Sequence, residues 1–140
     1  MPLPIVNVNE FVVFVTALIV MVIGALWYSP FLFGRIWMRL RGIDERKIAA
    51  SKKKGMIKSY ILALIGTILL LYVVAHFILY LKVSSVGDSF QFAFWMWVGL
   101  IAPTHLGIVL WEGKPLALYL ITVGYYLVAL LVASPILAVW

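Results

Sequence analysis

From Phe11 to Tyr28 the chain runs without a charged side chain, and three more apolar runs follow: roughly Ser59 to Leu81, Phe90 to Trp111 and Pro115 to Trp140. Each is at or near the ~20 residues that cross a ~30 Å hydrocarbon core. Of 140 residues 66% are hydrophobic and 11% charged, too few polar side chains to cover a water-soluble fold of this size. In lipid every backbone polar group has to be satisfied within the protein, which a helix does on its own. The expectation is an all-α, polytopic membrane protein: one four-helix transmembrane domain over 1–140 with spans near 10–28, 59–81, 90–111 and 115–138, plus a short amphipathic interfacial helix.

The charge is as unevenly spread as the hydropathy. Nine of the eleven Lys and Arg residues lie between Arg35 and Lys58, where only Asp44 and Glu45 oppose them; the remainder of the chain is close to neutral. Basic side chains beside membrane spans are drawn to anionic headgroups, at ~1 kcal/mol each near the surface, so lipid rather than nucleic acid is the expected partner. Short basic loops stay cytoplasmic. That puts the loop 31–58 inside, both termini outside, and a tight inner turn at Glu112 to Lys114 in a multi-pass protein of the cell membrane. The first ten residues hold no Lys or Arg, and the apolar run ends in Trp27-Tyr28-Ser29-Pro30, so no cleaved leader is expected.

Pro30 disfavours helix at Ser29 and ends the first span. In the segment after it, Phe33, Ile36, Trp37 and Leu40 share one helical face while Arg35 and Arg39 share another, the pattern of a helix lying in the headgroup plane. Arg35, Arg39, Arg41 and the Lys52-Lys53-Lys54 run are the expected headgroup contacts. After Gly42, Asp44 can cap a short helix through those lysines, with Ile43 and Ile48 as a hydrophobic staple and Gly55 as its stop. The third span carries Gly99, Pro103 and Gly107 on one face. Small residues let a neighbouring helix approach, and Pro103 frees the Gly99 carbonyl, so this face is expected to meet protein, with a homo-oligomer as one way to cover it. The first span closes with Gly24, Trp27 and Pro30 and the third with Gly107, Trp111 and Pro115, a weak internal echo.

Ionisable groups inside membranes are costly and mark function. Between the span ends only His76 and His105 titrate, besides tyrosines. At 1.5 Å per residue their depths differ by ~15 Å, too far to share one metal ion within a protomer. His76, with Tyr72 and Tyr80 at i±4 and Glu10 near the same level, could line an outer cavity. His105 is expected to satisfy backbone loosened by Pro103, and Glu112 to pair with Arg35 or Arg39. There is no cysteine, no nucleophile–base pair, no phosphate loop and no carboxylate within a span. Enzyme activity, a metal and any other cofactor are therefore not expected. The expected function is binding or transport of a lipid or a small amphipathic or cationic molecule at an inner-leaflet aromatic site of Trp27, Tyr28, Trp37, His105, Trp111 and Glu112. The rival is an assembly subunit without a ligand, in which these residues only lock helix ends.

At Gly24 to Trp37, GALWYSPFLFGRIW, the chain resembles the family catalogued as domain of unknown function 1761. Its members look like four-span proteins whose first helix closes on Gly24, Leu26, Trp27, Tyr28, Ser29 and Pro30, followed by Phe33, Gly34 and Trp37. A second patch is Leu110-Trp111-Glu112-Gly113-Lys114-Pro115, followed by Gly124 and Tyr125. The resemblance covers nearly the whole chain and implies that both turns are family features; it implies no activity.

Overall fold

The computed structural model describes residues 2–42 and 55–140. The expected Asp44-capped helix, its staple, and the headgroup contacts Lys52, Lys53 and Lys54 fall outside these residues. Helix α1, Glu10–Trp27, starts at Asn9, whose side chain accepts from the Val12 N–H at 3.3 Å; Glu10 in the first turn favours the helix dipole. The short amphipathic helix α2, Gly34–Arg41, ends at Gly42 in the left-handed conformation, φ 72°. Helix α3 is Met56–Tyr80. The third span, Val86–Leu110, is composite: α4, Val86–Met96, runs into a π turn at Trp97–Ile101 and a 3₁₀ turn at Pro103–His105 before α5, Gly107–Leu110. Helix α6 is Leu116–Val139. The four long helices are each long and apolar enough to cross a membrane.

Two starts lie earlier than the hydropathy pattern places them. The Ser85 hydroxyl accepts from the Asp88 N–H at 3.1 Å, and this cap begins α4 four residues before the aromatic run at Phe90. Helix α3 begins at Met56, directly after Gly55 and three residues before Ser59; the helix that Gly55 is expected to stop lies outside the described residues.

Helix α6 is the centre. It packs against α1, α2, α3 and the third span. One core cluster joins Val13, Ala17 and Val20 of α1 to Leu71 and Ala75 of α3 and Ala129 and Ala133 of α6. A second joins Val74 and Ile78 of α3 to Phe92 and Ala93 of α4 and Leu130 of α6. Without a hydrophobic drive between helices in lipid, cohesion depends on close van der Waals approach, and the alanines at these contacts permit it. The outward faces are apolar as well: Ile57 is 76% exposed and Leu69 62%. Such a surface is solvated by acyl chains, not by water.

In the third span the Gly99 and Pro103 face is left uncovered within the protomer. Gly99 and Pro103 are exposed, and a Cβ built at Gly99 meets nothing within 4 Å, so no helix of the same protomer covers this face. The carbonyls loosened around the proline find local partners instead. The Thr104 hydroxyl reaches Leu100 O at 2.9 Å and Ile101 O at 2.8 Å, and Tyr119 of α6 donates to Ala102 O at 2.7 Å. These bonds, one of them from α6, satisfy carbonyls at the break without a helix packed on the Gly99 and Pro103 face.

Candidate functional site

The site grows from the turn that ends α1. Pro30 has no N–H to continue the helix, and the chain folds back on itself through Ser29 Oγ to Leu26 O (2.7 Å), Phe33 N to Trp27 O (3.1 Å) and Gly34 N to Ser29 O (2.9 Å). Gly34 is required there: a Cβ would lie 2.7 Å from Ser29 O and closer still to Tyr28 O, both rigid backbone. This tight turn projects Trp27 and Tyr28 toward α6 and carries α2 with its Trp37 alongside them.

Helices α1 and α6 interlock reciprocally. A Cβ at Gly24 would stand 3.2 Å from the Tyr125 hydroxyl, and a Cβ at Gly124 3.2 Å from the Trp27 ring. Each ring thus occupies the space left by the glycine of the other helix. The Trp27 indole N–H donates to Ile121 O at 2.9 Å, and from the third span the Trp97 N–H donates to Val123 O at 2.7 Å. Two indoles therefore hold the α6 backbone, one from α1 and one from the third span.

Around this lock runs a continuous lane of half-buried rings. Trp37 meets Tyr28 at 5.6 Å between centroids, Tyr28 meets Tyr125 at 5.7 Å, Tyr125 meets Tyr126 at 5.1 Å, and Tyr126 meets His105 at 5.2 Å. The lane crosses from α2 over α1 and α6 to the third span. The Arg41 guanidinium lies 5.7 Å from the Trp37 ring, and its Nε is buried with no hydrogen-bond partner among the described residues. His105 Nδ1 is 2.8 Å from Ile101 O; a carbonyl only accepts, so Nδ1 carries a proton and donates to it. His105 thus serves the backbone beside Pro103 and also ends the lane. Burial pushes the Tyr28 phenol, just beyond α1, above its ordinary pKa; Tyr126 adds to this, while the Thr122 hydroxyl and Arg41 oppose it. Tyr28 is a neutral hydroxyl at physiological pH.

Of the residues expected at this site, Trp27, Tyr28, Trp37 and His105 come together. Trp111 does not: it is 87% exposed and packs its ring edge over Gly107. Glu112 is exposed too, with no ion pair to Arg35 or Arg39 among the described residues. The echo between the first and third spans therefore stops at the sequence, since one tryptophan clamps α6 and the other faces outward. At the end of the bundle that holds the termini, Tyr72, His76 and Tyr80 do form a stripe, at 4.6 and 6.0 Å between rings. His76 Nδ1 is bound within its own helix, 2.8 Å from Tyr72 O. A cavity at that end, about 140 Å³, is lined instead by Asn7, Asn9, Val12, Ala75, Leu137 and Trp140 with their neighbours, and Glu10 is not part of it. Thr122, Tyr125, Tyr126 and Trp97 were not legible as site residues. The one available signal was the Gly124-Tyr125 pair, which answers Gly24 and Trp27 across the bundle.

Three apolar spans around a fourth, α6, closed at one end by a polar-aromatic lane, define a multi-pass α-helical membrane protein. The chain belongs to the family described as Protein of unknown function (DUF1761), whose model matches residues 11–138. No curated protein and no solved structure matches it significantly.

Proposed function

We propose that this protein is a non-enzymatic membrane protein that binds a lipid or small amphiphile at the lane formed by Trp37, Tyr28, Tyr125, Tyr126 and His105. The observation that carries the reading is the run of half-buried rings bearing three phenols and an imidazole, with Arg41 of α2 against the Trp37 ring at one end. Rings provide flat apolar contact for a chain or sterol-like body, and the phenols and imidazole provide the few polar groups that orient a headgroup. Among the described residues no carboxylate lies within the lane, whereas Arg41 lies at its edge. An anionic or neutral headgroup is therefore favoured over a cation. Arg35 and Arg39, exposed on α2, and Lys52, Lys53 and Lys54 of the basic loop would hold this end against cytoplasmic anionic lipid, leaving both termini outside.

The test is a melting-shift series on purified protein with anionic lipids, zwitterionic lipids and organic cations. The wild type shows a dose-dependent shift with at least one amphiphile; Tyr28→Phe with Tyr126→Phe, which keeps both rings and removes two hydroxyls, loses it. Glu112→Gln leaves the shift intact. Absence of a shift with every class favours the second reading, an assembly subunit whose exposed Gly99 and Pro103 face docks another helix.

A further inference from the structure

A second site lies at the opposite end of the bundle and does not depend on the ring lane. Between the turn that follows α3 and the first turns of α4 is a cavity of about 310 Å³ whose lining includes Lys82, Asp88, Gln91, Phe92 and Trp95. Asp88, Gln91 and Trp95 follow one another at i, i+3 and i+7, on one face of α4. Trp95 is 61% exposed. Lys82 and Asp88 line the same cavity, yet no ion pair joins them within 4.0 Å.

Lys82 is also unusual in its backbone. Its φ is 56°, the one positive value at a non-glycine among the described residues. It is the second residue after α3 ends at Tyr80, just past the cap residue Leu81, where Val83 N donates to Ile78 O at 3.0 Å and Lys82 N to Leu79 O at 3.2 Å. Glycine is the ordinary residue at that place, and a side chain there is strained. The chain holds a lysine at a position whose geometry calls for glycine, and backbone strain of this kind clusters at ligand-binding sites.

We propose that this cavity binds a zwitterionic headgroup, with its phosphate on Lys82 and its amine between the Asp88 carboxylate and the Trp95 ring. A simple anion would meet Asp88, and a simple cation would meet Lys82; a group carrying both charges satisfies each. The Trp95 face attracts the amine, and the Gln91 amide can bond phosphate or ester oxygens. The two charges flank the start of a membrane span, the level at which headgroups lie.

Full-length protein in mixed micelles is offered phosphatidylethanolamine and phosphatidylglycerol with matched acyl chains, and the lipid retained is counted by native mass spectrometry. Wild-type protein retains the ethanolamine lipid preferentially. Lys82→Gly folds at least as stably, because glycine accepts φ 56°, yet loses about fivefold of that retention, the scale of one partly exposed ion pair. Asp88→Asn shifts preference toward the glycerol lipid and serves independently should the glycine variant be altered elsewhere. Soluble glycerophosphoethanolamine as competitor separates the sources: displacement assigns the site to the free zwitterion, and persistence of the bound lipid assigns it to the membrane form. Equal retention of both lipids by the wild type, or an unchanged preference in both variants, overturns the proposal.

Discussion

Replacing Gly34 by alanine should damage this protein more than any other single-methyl addition at a glycine. The added carbon would lie 2.7 Å from Ser29 O and 2.8 Å from Ser29 C, where ordinary contact begins at 3.4 Å. The turn must therefore open by at least about 0.7 Å, the difference between 3.4 and 2.7 Å. None of the opposing atoms belongs to a flexible side chain. Opening weakens the Gly34 N to Ser29 O bond, now 2.9 Å, and the neighbouring Phe33 N to Trp27 O bond, and it tilts α2 off the rings of Tyr28 and Trp37. One hydrogen bond at ~1 kcal/mol and overpacking at ~1–3 kcal/mol give a loss of about 2–4 kcal/mol. Two other glycines separate this steric effect from backbone preference. Gly66→Ala, in α3 with nothing within 4 Å, should gain roughly 0.5–1 kcal/mol. Gly42→Ala, at φ 72° in open space, should lose only ~1 kcal/mol. Reversible unfolding of the three variants in micelles, followed by far-ultraviolet circular dichroism, measures all three. A Gly34→Ala loss no larger than that of Gly42→Ala would refute the steric argument.

Three further outcomes follow from the same contacts. Gly124→Ala should destabilise wild-type protein but cost at least ~0.5 kcal/mol less in a Trp27→Phe background, because the smaller ring lacks the indole carbon that lies 3.2 Å from the new methyl; a double-mutant cycle of unfolding free energies measures this. Ser134→Ala should be neutral or stabilising by up to ~1 kcal/mol in the same unfolding assay, since the Ser134 hydroxyl is fully buried with no hydrogen-bond partner among the described residues. A thiol introduced by Ser51→Cys into this cysteine-free chain should resist a membrane-impermeant maleimide on intact cells and react after permeabilisation, as the cytoplasmic assignment of the basic loop requires.

The spans were legible because hydropathy over some twenty residues is a property of composition and needs no tertiary knowledge. The amphipathic α2 was legible for a similar reason, since Arg35 and Arg39 oppose Trp37 and Leu40 at helical spacing. The site was only half legible. Trp27, Tyr28 and Trp37 stood out as an aromatic cluster beside a proline, but their partners Tyr125 and Gly124 lie about a hundred residues away, and only a fold brings them together. Glu112 and Trp111 drew attention for the same local reasons and point elsewhere, because the turn at Gly113, φ 66°, leaves both on the outside. Pro103 announced a break without saying where the freed carbonyls would go. The answer, a π turn with Thr104 and Tyr119 as donors, depends on α6 lying close by.

The most direct measurement of the ring lane uses the chain's two histidines, which belong to opposite ends of the bundle. His105 touches Tyr126 in the lane, and His76 lies between Tyr72 and Tyr80 away from it. With ¹⁵N-histidine-labelled protein in micelles, titration of lipid or amphiphile should move the His105 ring signals in a dose-dependent way and leave those of His76 in place. His105 signals that stay fixed across anionic, zwitterionic and cationic amphiphiles alike, or a response confined to His76, would contradict a binding site there.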